Sequence, residues 1–130
     1  MVAATVAGGR WRQPRLVTAE TTSADPGGDG VTEGGGPAVE APDPIDAKVA
    51  GTLRTLMRQV VTGGTAAPAG LPAGTGGKTG TAEFGTGDPL PTHAWFIGFR
   101  GDLAFAVLVE DGGVGGRVAA PVAAQFLRSL

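Results

Sequence analysis

Cysteine, tyrosine and asparagine are absent from the 130 residues, histidine occurs once, at 93, and lysine only at 48 and 78. Without cysteine there is no disulfide framework and no thiolate metal site; the compartment stays open, because exported proteins often lack cysteine too. One histidine cannot build a His-rich metal centre, and no metal or other cofactor is expected. A net charge of −2 gives no basic patch for nucleic acid or an anionic membrane. No stretch reaches the roughly 18 to 20 apolar residues of a membrane span. Residues 1–9 have no basic segment and do not read as a signal peptide.

Glycine (24 residues) and proline (10) together pass a quarter of the chain, a level at which part of it is expected to be flexible. Yet 42% of residues are apolar, and they gather in the second half. Residues 18–42 hold Glu20, Asp25, Asp29, Glu33 and Glu40, no basic residue, and the run Gly34-Gly35-Gly36-Pro37. That composition offers too little apolar surface to offset ordering entropy and predicts a flexible, solvated insertion.

Around it the elements follow the hydrophobic periodicity. Residues 1–9 predict the last turns of a helix stopped by Gly8 and Gly9; residues 10–17 are expected to be extended around Pro14. Asp43-Pro44-Ile45-Asp46 predicts a helix start, with Asp43 as cap and Pro44 in the first position. Ile45, Val49, Leu53, Leu56, Met57 and Val60 then recur at helical spacing as a core stripe, up to Gly63-Gly64. Three strands are predicted over 76–83, 93–100 and 103–110, the last two joined by a Gly101-Asp102 turn. The third is apolar on both faces, which predicts a central place in the sheet. A closing helix over 116–130 is expected to bury Val118, Val122, Phe126 and Leu130. The order predicts an α+β fold, an antiparallel sheet with helices on its faces.

The sharpest local signal is Lys78-Thr79-Gly80-Thr81, on the first predicted strand. Alternation puts Thr79 and Thr81 on one side, Lys78 and Gly80 on the other. Two adjacent hydroxyls can hold one carboxylate, and the lysine adds a fixed charge that attracts it and eases loss of a neighbouring hydroxyl's proton. Gly80 lets a substrate backbone lie close. On an edge strand, the Thr81 N–H can stabilise a tetrahedral oxyanion, and a peptide ending in a carboxylate can add as a further strand. Two other readings stand beside this one. A K-T-G-T run arises by chance in many proteins. Gly77-Lys78-Thr79 also imitates a P-loop, with residues 107–111 as an acidic strand end. A P-loop, however, needs glycine five residues before Gly77, where Pro72 stands.

Taken together, GGKTGTAEF, HAWFIGF, LAFAVLVEDGG and RVAAPVAAQFL, preceded by MVAATVAGGRWRQPRLV and LMRQVVTGGTA, resemble in order the penicillin-binding protein transpeptidases. These belong to the wider fold family of serine β-lactamases and D-Ala-D-Ala peptidases, whose third motif is K-T-G, after S-x-x-K and S-D-N. The resemblance covers nearly the whole chain apart from the acidic insertion. It implies the C-terminal portion of a β-lactamase/DD-peptidase-like fold, residues 1–130 forming a partial transpeptidase domain. It also implies acyl transfer through an acyl-serine, cross-linking peptidoglycan stem peptides that end in D-Ala-D-Ala, with β-lactams as mimics. On this resemblance Lys78 assists proton traffic, Thr79 and Thr81 bind the carboxylate, the Thr81 N–H forms half of the oxyanion hole and Gly80 keeps the cleft clear. The parent protein is expected on the outer face of the plasma membrane. His93 and Trp95 are expected to pack, and Glu83 and Glu110 to be solvated or capping.

The departure from the family is equally plain. The only serines are Ser23 and Ser129, neither followed by lysine three residues on, and without asparagine S-x-N cannot occur. Both motifs lie upstream in the family, so an upstream part of the same domain is the expected partner. The alternative is a non-catalytic fragment or remnant with no turnover.

Overall fold

Glycines and a capping carboxylate set the helix limits. A computed structural model describes residues 1–12, 14 and 42–130. Helix α1, Val2–Gly8, ends at Gly9, and α2, Ala47–Thr62, ends at Gly63. The start of α2 corrects the sequence expectation: the cap is Asp46, not Asp43. The Asp46 carboxylate accepts from the N–H groups of Lys48 (2.9 Å) and Val49 (3.1 Å), two of the donors that a helix start leaves without partners. Ile45 instead donates its N–H to the Gly9 carbonyl at 3.0 Å, which ties the approach to α2 against the end of α1. The predicted extended segment 10–17 and the predicted flexible segment 18–42 lie mostly outside the described residues.

Three strands follow: β1 (Gly76–Glu83), β2 (Thr92–Arg100) and β3 (Leu103–Val109). They pair antiparallel in the order β1-β2-β3, from Gly76 opposite Phe99 to Glu83 opposite Thr92, and from Ala94 opposite Val109 to Arg100 opposite Leu103. The two-residue link Gly101-Asp102 has φ 56° at Gly101, as a II′ hairpin turn requires at its first central position. Among the described residues the central strand is therefore β2, not β3. It buries Ala94, Phe96, Gly98 and Phe99, while no residue of β3 is fully buried. The apolar character of both β3 faces has another cause: α1 contacts this strand as well as α3 does.

The two faces of β2 build two clusters. Ala94 and Phe96 pack with Ala119, Ala120 and Ala123 of α3 (Ala119–Arg128), joined by Val61 and Ala66. Phe99, on the opposite face, packs with Val6 of α1 and with Met57 and Leu53 of α2. The buried stripe of α3 is Ala119, Ala120, Ala123, Ala124 and Leu127. Of the expected stripe, Val118 is half-buried against the cluster of Ala94 and Phe96, but the rest is turned outward, with Val122 44%, Phe126 41% and Leu130 75% exposed. Alanines let this helix approach the sheet closely; Phe96 and Phe105 lie in the seam, 6.0 Å apart between ring centroids, and the half-exposed Phe126 meets Phe105 edge-on at its rim, at 6.3 Å.

The α2 stripe is likewise only half covered. Val49 and Leu56 stay exposed. Leu56 lines an apolar groove of about 920 Å³ with Val2, Val6, Leu53, Met57, Val60 and Ile97. No described helix is long and apolar enough to cross a membrane.

The inverted face of α3 generates a pair of contrasting outcomes. Ala123→Leu overfills the seam and costs about 1–3 kcal/mol, whereas Val122→Thr stays within about 0.5 kcal/mol. Urea unfolding of both variants checks this; a larger loss at Val122 than at Ala123 would mean that α3 is turned the other way.

Candidate active site

Strand alternation places the K-T-G-T residues, and the pairing with β2 identifies their sides. Thr79 lies opposite Phe96 and Thr81 opposite Ala94, on the face that α3 covers. Lys78 and Gly80 lie opposite Ile97 and Trp95, on the other face. Among the described residues β1 has a neighbour on one side only, so it is an edge strand. Toward its C-terminal half it emerges from the core: Gly76 and Gly77 are buried, Thr79 and Gly80 half-buried, Lys78 and Thr81 exposed.

An open cleft of about 910 Å³ runs along this strand. Lys78 to Thr81 form one side of its lining. Thr65, Pro68 and Ala69, from the turn after α2, and Val114, Gly116, Arg117 and Pro121, from the approach to α3, supply the rest. Among the described residues two cations, Lys78 and Arg117, line the cleft, and no carboxylate does. The Lys78 ammonium donates to the Thr79 carbonyl at 2.6 Å, which holds the charge beside the strand. Such a cleft suits an anionic ligand.

The hydroxyls are backed from behind. The Thr79 Oγ1 lies 2.8 Å from the Thr65 Oγ1, and the Gly115 N–H donates to the Thr81 Oγ1 at 3.5 Å, a long bond. Gly115 lies directly on the sheet backbone, where a Cβ would collide with the carbonyl oxygens of Gly80 and Trp95. At Gly116 a Cβ would collide with the Thr65 carbonyl. Nothing in the sequence pattern singles out Thr65, Gly115, Gly116 or Arg117 as site residues. The Gly-Thr-Ala turn at 64–66 and the Gly115-Gly116 pair are visible there, but a turn and a loop give no sign of which strand they meet.

His93 and Trp95 pack, as expected. The His93 ring stacks on Phe84, 3.8 Å between centroids and 6° between planes, and its Nδ1 accepts from the Asp111 N–H at 3.1 Å. Trp95 lies across from Gly80, where a Cβ would stand 3.2 Å from the tryptophan Cβ. The P-loop imitation fails on geometry: Lys78 sits inside an antiparallel strand, not at a helix start. Ser129 closes α3, its hydroxyl donating to the Phe126 carbonyl at 2.7 Å.

Comparison with known proteins agrees with this architecture. The family model described as the penicillin binding protein transpeptidase domain matches residues 1–128. A crystal structure of Pseudomonas aeruginosa PBP2 in complex with WCK 5153 is similar at 34% sequence identity and a TM-score of 0.57, over 69% of this chain. The chain spans 20% of the length of that protein. No curated protein matches. The chain therefore belongs to the penicillin-binding protein transpeptidase domain family.

Proposed function

We propose that these residues supply the substrate-binding edge of a DD-transpeptidase that cross-links peptidoglycan peptides through an acyl-serine, while the nucleophile comes from an upstream part of the same domain. The observation that carries this reading is the pair of hydroxyls, Thr79 and Thr81, aligned on one side of a strand that is an edge among the described residues, in a cleft that these residues line with the cations Lys78 and Arg117 and with no carboxylate. The C-terminal carboxylate of a D-Ala-D-Ala stem peptide, or the carboxylate of a β-lactam, accepts from both hydroxyls, a charge-assisted pair of bonds. The peptide lies along β1, with Gly80 leaving room for its backbone. The serine oxygen then bonds to the penultimate D-Ala carbonyl carbon; the terminal D-Ala leaves as the amine and takes a proton. The Thr81 N–H stabilises the oxyanion, and Lys78 assists proton transfer. An amine of a second stem peptide displaces the serine ester and completes the cross-link. The parent protein works on the outer face of the plasma membrane, where that substrate lies.

A second, non-catalytic reading is favoured by one observation: the 130 residues carry no S-x-x-K. Intact mass with benzylpenicillin separates the two. The 130 residues alone form no covalent adduct, because acylation needs an activated nucleophile. The full polypeptide in which they follow S-x-x-K and S-x-N forms one adduct per chain, and Lys78→Ala slows it by about 10²- to 10⁴-fold. A stoichiometric adduct on the 130 residues alone, or none on the full polypeptide, overturns the proposal.

The same reading assigns the apolar groove of Val2, Val6, Leu53, Leu56, Met57, Val60 and Ile97 to the upstream part as its packing surface. A few hundred Å² of apolar surface left in water forfeits several kcal/mol at about 25 cal/mol per Å², comparable with a domain's whole stability. The 130 residues alone are expected to unfold without a sharp transition or to associate, and to become a cooperative monomer when joined to the upstream part. Thermal unfolding and size exclusion check this; a sharp transition from a clean monomer, unchanged by the addition, contradicts it.

A further inference from the structure

We propose that Thr65 is a positioning residue of the cleft, whose hydroxyl donates to Thr79 and so leaves the Thr79 proton for the ligand's carboxylate. The inference rests on the transpeptidase reading above. It starts from the proton inventory of a hydroxyl: one donor and two acceptor lone pairs. A carboxylate only accepts. Thr79 cannot give its single proton both to Thr65, 2.8 Å away, and to a carboxylate in the cleft. When the carboxylate takes that proton, the short contact to Thr65 survives only with Thr65 as donor. The result is a directed chain, Thr65 O–H to Thr79 O–H to carboxylate, in which each bond polarises the next.

The neighbouring position follows the same logic with a group that has no choice. Thr81 Oγ1 meets the Gly115 N–H, which can only donate, so the Thr81 proton is also left for the cleft. Both hydroxyls thus have a donor behind them, one from the backbone and one from a side chain.

Thr65 is held in place for this task. Its turn is closed by the Ala66 N–H donating to the Val60 carbonyl and the Ala67 N–H to the Gly64 carbonyl, both 3.1 Å. Gly116 seats against the Thr65 carbonyl with no room for a Cβ, and its Cβ position would lie 3.5 Å from the Thr79 methyl. Thr79 is β-branched and stiff about χ1, so what remains to be fixed there is the direction of its proton.

The test measures acylation rates of the full polypeptide with benzylpenicillin and with its methyl ester, which lacks the charged acceptor. Thr65→Val, nearly the same shape without the hydroxyl, is expected to slow benzylpenicillin by roughly three- to tenfold, the scale of one neutral hydrogen bond lost behind Thr79. The ester is expected to slow by less than about twofold. Thr65→Ser restores the benzylpenicillin rate. Combined with Thr79→Val, Thr65→Val is expected to cost nothing further, because its target is gone. Equal slowing of both ligands by Thr65→Val, or no slowing of either, overturns the inference while leaving the transpeptidase reading intact. Absence of acylation by the unsubstituted polypeptide overturns both.

Discussion

The cleft depends on one constraint, the register between β1 and β2. With Thr79 locked opposite Phe96 and Thr81 opposite Ala94, both hydroxyls emerge on the α3 side of the sheet and Lys78 on the other. A slip of one residue would exchange the two sets. The register is secured by bulk: Phe96 and Phe99 lie over Gly77 and Gly76, where a Cβ would meet their rings. The glycines before K-T-G-T thus have a steric purpose, accepting two phenylalanines from the neighbouring strand and anchoring the buried end of a strand whose other end is exposed.

Much of this was legible in the sequence, for identifiable reasons. β2 and β3 follow from apolar runs bounded by glycine and joined by Gly101-Asp102, and the sides of K-T-G-T on β1 follow from the two-residue period. The strand order did not follow, because an apolar strand can meet helices on both sides without having strands on both sides; β3 contacts α1 and α3 and still lies at an edge among the described residues. The buried face of α3 was misread for a related reason. Val122, Phe126 and Leu130 are larger than Ala119, Ala120, Ala123 and Ala124, yet close approach to a sheet selects the small residues. The start of α2 is ambiguous in the sequence because Asp43 and Asp46 both have capping chemistry; the bonds from the Lys48 and Val49 N–H groups identify Asp46 as the cap.

In the site, the strand residues were visible and their supports were not. Thr79 and Thr81 belong to a short motif within one strand. Thr65 and Gly115 reach them from 14 and 34 positions away along the chain, and such meetings are made by the fold. Arg117 is similar: as one arginine before a helix it carries no signal, and it gains meaning only from sharing a cleft with Lys78.

Gly115 and Gly116 have a mechanical consequence. Where they meet the sheet and the Thr65 turn, main chain touches main chain, without the rotatable side chains that normally absorb small displacements. A joint of that kind is stiff. A displacement at the start of α3 would therefore press on the strand at Gly80 and on the Thr65 turn together, the two elements that carry the Thr79 and Thr65 hydroxyls.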